Sequence, residues 1–175
     1  MDQWDWRSLC DELGLIYVDP RANSKETIRQ IWSLECLLTE AMHGAIVGDA
    51  LRTPWIALQI SPNFEPSKWC DWAGSLGMPM YFHSVPDLYA PQGSLKNAAK
   101  SIAKSVLATA GMRAYPRPKT RRWEVDYAKR RLRSLMREVR PQLSEEARLD
   151  EAIERTYNAL EKLKVDYASG VLHRA

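Results

Sequence analysis

Between Leu15 and His83 the chain repeats one pattern, and that pattern restricts the fold more than any other feature. Four short apolar runs, Leu15–Val18, Cys36–Thr39, Trp55–Ile60 and Met80–His83, are too short for helices and rich in strand-forming residues. Helix-periodic segments separate most of them. One has Ile28, Ile31 and Trp32 on its inner face and Ser24 as its N-cap. A second runs from Met42 to Arg52 and stops before Pro54. A third runs from Lys68 to Leu76 and stops at Gly77. A further helix, carrying Trp6, Leu9, Cys10 and Leu13, comes first and ends at Gly14. Strands that alternate with helices imply βαβ units and a Rossmann-like parallel sheet, so residues 1–90 read as one α/β domain.

The second half differs in kind. Residues 1–90 hold 6 Lys and Arg against 12 Asp and Glu, a net of −6. Residues 91–175 hold 19 against 10, a net of +9. Ser94 starts an expected helix with Leu95, Ile102 and Val106 on one face, ending at Gly111. Pro116–Lys119 reads as a linker. Two more helices are expected. One spans Trp123–Val139, with Leu132, Leu135, Met136 and Val139 inward and arginines outward. The other spans Glu145–Ala168, with Leu149, Ile153, Tyr157, Leu160 and Leu163 at helical spacing. Residues 91–175 therefore read as a helical extension with a basic segment at 113–140, where 11 Lys and Arg meet 3 acids. That segment suits a solvated face or contact with an anionic membrane surface. No nucleic-acid motif accompanies it, and aromatics do not interleave with the basic run, so nucleic acid is not expected as a partner.

Cys10, Cys36 and Cys70 have no metal-ligand spacing, which argues against a zinc site or disulfide framework and for the reducing cytoplasm. The N-terminus lacks a signal-peptide core, and no apolar run approaches the roughly 20 residues of a membrane span.

His43, the first histidine in the chain, follows the Cys36–Thr39 run and opens the next helix. In an open α/β sheet, ligands bind at the carboxyl edge of the strands. Unpaired amides at a helix start suit a phosphate or carboxylate, and Gly44 and Ala45 leave room for one. An imidazole here binds an anion or moves a proton, or it merely caps the helix. Glu40 either hydrogen-bonds a ligand, orients His43 or caps that helix. Asp49 lies inside an apolar helix and is expected to be paired structurally, a backbone N–H being one partner open to it, rather than catalytic. Arg21 follows the first run at the same edge, a candidate anion contact. Trp69 and Trp72 are offered to core packing before sugar stacking.

The run Glu40-Ala41-Met42-His43-Gly44-Ala45-Ile46-Val47, followed by Asp49-Ala50-Leu51-Arg52 and Pro54-Trp55, resembles the signature of the polysaccharide pyruvyl transferase family, in particular the members of succinoglycan-type exopolysaccharide clusters. The likeness extends to Tyr17–Arg21, to Glu65–Trp69 and to Ser75–Gly77, over about residues 10–80. It implies the C-terminal half of a GT-B-type fold whose cleft lies between two Rossmann-like domains. It also implies transfer of a pyruvyl group from phosphoenolpyruvate, the donor substrate, to a sugar; no cofactor is expected, and no metal, since the sequence shows no metal-ligand cluster. The motif histidine is His43, the catalytic candidate; Glu40, Gly44, Lys68 and Arg21 are the substrate-binding candidates. The acceptor would be a sugar of an exopolysaccharide or its lipid-linked precursor, met at the inner face of the membrane.

The sequence departs from the family pattern in two ways. Ala41 stands where many members carry Arg, leaving Arg21 or Arg52 to supply a guanidinium, with Arg52 expected to face solvent at a helix end. The first domain of the family pattern is absent, so a partner chain is expected to complete the cleft, and the apolar N-terminal segment is expected to pack against it. The alternatives are a non-catalytic anion- or glycan-binding remnant and half of a GT-B glycosyltransferase that uses a sugar nucleotide.

Overall fold

A computed structural model describes residues 4–89 and 119–169. The expected Ser94–Gly111 helix and most of the Pro116–Lys119 linker lie outside the described residues. The described chain holds six helices and three strands: α1 (Trp6–Leu13), α2 (Ser24–Trp32), β1 (Leu37–Thr39), α3 (Met42–Ala50), β2 (Trp55–Gln59), α4 (Pro66–Ser75), β3 (Phe82–Ser84), α5 (Arg122–Glu138) and α6 (Glu146–Ala168). The strands form one sheet in the order β1-β2-β3, and β1 runs parallel to β2 with Thr39 opposite Ala57. The α/β class expected from the alternating pattern is what forms, and β1-α3-β2 is its central unit.

The chain divides into two compact units that interleave along the sequence. One contains the segment up to Ala22, Gln59–Pro62 and Ser84–Val139; the other contains Asn23–Leu58, Asn63–His83 and the segment from Arg140 onward. In the first unit α1 packs on α5. The Asp5 carboxylate caps α1 by accepting from the Ser8 amide at 3.0 Å. Gly14, at φ 70°, closes the helix with Leu15 N–H on Cys10 O and Gly14 N–H on Asp11 O, a Schellman motif. Leu9, Ala128, Leu132 and Leu135 are buried. Met136, expected inward with them, is exposed, because it lies toward the solvent side of the Leu132–Leu135 stripe.

The strand expected at Leu15–Val18 does not form. Those residues are irregular, and Ile16 lies in solvent at 61% exposure. A strand needs a neighbour to satisfy its ladder, and strand-forming composition does not provide one.

The second unit carries the sheet core. Asn23, not Ser24, caps α2 through the Lys25 amide. Of the three residues expected on its inner face only Ile31 is buried; Ile28 and Trp32 are exposed. The α3 helix lies close on the strands, since a Cβ on Gly48 would stand 3.4 Å from Leu37 Cδ2 and 3.9 Å from Trp55 Cδ1. An aromatic cluster surrounds Trp55: Trp72 at 5.4 Å and Trp69 at 6.2 Å between centroids, with Phe82 edge-on to both Trp69 and Phe64. Trp69 is thus a core residue, the role preferred for it over sugar stacking. After α5 the chain pairs with β2 once, at Trp55 and Gln142, which exchange both backbone hydrogen bonds.

Candidate functional site

The turn from β1 into α3 is built by Thr39. Its side chain is nearly buried at the strand end, accepts from the Ala41 amide at 3.0 Å and donates to the Ala41 carbonyl at 3.0 Å. Both bonds fix Glu40 and Ala41 in a tight turn and start α3 at Met42. Gly44 is required by this arrangement: a Cβ there would come within 2.7 Å of Thr39 Oγ1.

Asp5 and Asn23 cap the starts of α1 and α2, but α3 and α4 begin without a side-chain cap. Both follow strands of the sheet. The parallel pairing of β1 and β2 therefore brings the first turns of α3 and α4 to one carboxyl edge; in α3 the Gly44 and Ala45 amides bond the Ala41 carbonyl and those of Met42 and His43 are left for a ligand, while α4 opens on Pro66, which has no N–H. His43 is exposed on the first turn of α3, Gly44 and the half-buried Glu40 flank it, and Lys68 is exposed on the first turn of α4. Topology thus gathers four of the five candidates at one edge.

Arg21 is described in the first unit, and it is already engaged. Its Nε and Nη2 donate to the two oxygens of Asp19 at 3.0 and 2.9 Å, and its amide donates to Oδ1. These bonds, led by the Arg21 side chain, hold the Asp19 carboxyl at a pKa of about 2. Burial pushes the Cys10 and Cys36 thiols up, so neither is a ready nucleophile. Among the described residues no group of three or more His, Cys, Asp or Glu is placed to hold a metal ion. A cleft of about 240 Å³ lies at the start of α6 within the second unit, between Gly77, Pro79, Leu143, Glu145 and Arg148; none of the five candidates lines it.

Asp49 is resolved by the structure in favour of pairing. The carboxylate is 1% exposed and accepts from three donors: Trp55 Nε1 at 3.1 Å, the Ser144 amide at 2.9 Å and Ser144 Oγ at 2.5 Å. A backbone N–H is among them, as the sequence reading supposed. Arg52 does not face solvent freely. Its guanidinium reaches the Ser144 carbonyl at 2.7 Å and Oγ at 3.2 Å. It holds φ 61° at the end of α3, where Thr53 N–H bonds Gly48 O and Arg52 N–H bonds Asp49 O. This is the position a Schellman motif usually gives to glycine. Sequence reading missed Ser144 and Thr39, because neither carries a motif signal and Ser144 lies 95 residues from Asp49.

No family model matches the chain, and no solved structure matches it. The chain is similar to a succinoglycan biosynthesis protein, ExoV, of Rhizobium meliloti strain 1021: 41% identity over 93 residues, 53% of this chain. The match covers 29% of that protein's length. No described helix is long and apolar enough to cross a membrane.

Proposed function

We propose that this chain carries the donor-binding half of an enzyme of exopolysaccharide biosynthesis, which moves a pyruvyl group from phosphoenolpyruvate to a sugar of the polysaccharide or its lipid-linked precursor. The similarity to a succinoglycan biosynthesis protein carries this reading. The uncapped starts of α3 and α4 at one sheet edge support it. A second Rossmann-like domain, on a partner chain or elsewhere in a longer chain, would complete a GT-B-type cleft.

The chemistry sets what the site must do. Making a pyruvate ketal adds a proton to the donor's methylene carbon, joins C2 to two sugar oxygens and expels phosphate. Of the two hydroxyl protons, one is taken up by the new methyl group and the other leaves with phosphate. His43 serves as the proton carrier and donor contact. The Met42 and His43 amides ahead of Gly44, together with Lys68, hold the phosphate or carboxylate as charge develops on it. Glu40 binds acceptor hydroxyls or orients His43. Arg21 is kept as a candidate donor contact, with its guanidinium already bonded to Asp19. At the inner face of a membrane, the exposed Arg122, Arg130, Arg133 and Arg137 of α5 would meet anionic lipid.

The test is an NMR titration of the full chain with phosphoenolpyruvate. Saturable shifts at His43–Ala45, lost in His43→Ala, are expected. No shift at millimolar donor overturns the donor assignment. Shifts with a uridine or guanosine diphosphate sugar instead would favour a glycosyltransferase half.

A further inference from the structure

The α6 helix is the longest element described, yet it buries no residue. One face is tied to the rest of its own unit: Arg155 donates to the Ser75 carbonyl at 3.0 Å, and Arg148 lies against Gly77. The adjoining face is apolar and open, with Ile153, Tyr157, Leu160, Leu163 and Tyr167 each more than half exposed. Scattered exposed apolar residues are ordinary, but these are not scattered. Leu149, Ile153, Thr156, Leu160, Leu163 and Tyr167 follow one another at alternating steps of four and three, the spacing of a coiled-coil seam. The seam is about 27 Å long at 1.5 Å per residue.

The residues beside the seam say what fits it. Asp150, Tyr157 and Lys164 line one side; Ala152, Ala159 and Asp166 line the other. Lay a second α6 antiparallel, with Thr156 opposite the second copy's Leu160. Asp150 then faces the second copy's Lys164, and the two-fold axis repeats that pair. Tyr157 meets its own equivalent on one side, and Ala159 meets its own on the other, where small side chains let the helices approach. A parallel alignment offers no such pair, because Lys164 then meets Ala159. From this self-complementarity we propose that α6 is a homodimer interface, an antiparallel two-helix seam between two copies of this chain. It is independent of the donor site.

The test is sedimentation equilibrium of the full chain with charge-swapped variants. The wild type is expected to dimerise in the micromolar range. Asp150→Lys or Lys164→Asp turns two attractive pairs into repulsive ones and is expected to weaken the dimer about tenfold. The double variant D150K/K164D re-forms both pairs and is expected to return within about threefold of wild type. Leu160→Glu is expected to abolish the dimer with an unchanged far-UV circular dichroism spectrum, since Leu160 is half exposed within one chain. A monomer at several hundred micromolar overturns the proposal. That result would mean that a different protein covers the stripe. A dimer that survives Leu160→Glu, or one the double swap fails to restore, overturns it equally.

Discussion

Asp49 offers the sharpest test of how the second unit is held. Asp49→Ala leaves the Trp55 indole N–H and the Ser144 amide and hydroxyl without their acceptor, all inside the fold. An unsatisfied buried donor costs about 1–3 kcal/mol, and the Ser144 hydroxyl can rotate to find another partner. Two fixed donors therefore set the loss at about 3–5 kcal/mol, part of it offset by no longer burying a carboxylate. Asp49→Asn keeps the Oδ1 acceptor for both fixed donors. Its new amide can donate to Ser144 Oγ, so its cost should be about 1–2 kcal/mol, the value of the lost charge assistance. Urea unfolding, followed by tryptophan fluorescence, reads the difference. With a slope of about 2 kcal/mol per molar urea, Asp49→Ala should lower the midpoint by about 1.5–2.5 M and Asp49→Asn by under 1 M. An Asp49→Ala midpoint within about 0.3 M of wild type, or about 0.6 kcal/mol, would refute the reasoning. So would Asn proving worse than Ala.

Two further outcomes follow from the same geometry. Gly44→Ala should destabilise by about 1 kcal/mol despite alanine's better helix propensity, because the new Cβ meets Thr39 Oγ1 at 2.7 Å; in a Thr39→Ala background that cost should vanish, as a double-mutant cycle will show. The Asp19 carboxyl, held at about 2 against an ordinary 3.8, contributes stability above pH 3.8 that is lost as pH falls toward 2. Arg21→Ala should move its NMR titration midpoint back toward 3.8 and remove that part of the acid dependence.

The readable parts of this fold are those set by local chemistry. Gly14 and Gly77 stop α1 and α4 at positive φ, and any reading of glycine after a helical stripe finds both. Arg52 closes α3 in the same conformation and was not legible as a stop, since its side chain is recruited by Ser144, far along the chain. Likewise β1 and β2 were visible as short apolar runs, while the similar run at Leu15–Val18 found no strand to pair with. At the candidate site, His43, Gly44 and Lys68 stood out through residue type and resemblance. Thr39, which shapes the turn that presents them, did not.

Sequence alone determined the α/β alternation, the helix ends marked by glycine and the placement of His43 at the start of a helix. These depend on periodicity, φ preference and the chain's immediate neighbours, all of which act within a few residues. Only the tertiary structure decided which strand-like run joins the sheet, that Arg21 is held by Asp19, that Asp49 is bound by Ser144 and that the apolar stripe of α6 stays open. Each of those depends on which distant groups meet, because a ladder, a buried carboxylate or an apolar face is satisfied by its partner and not by its own residue type.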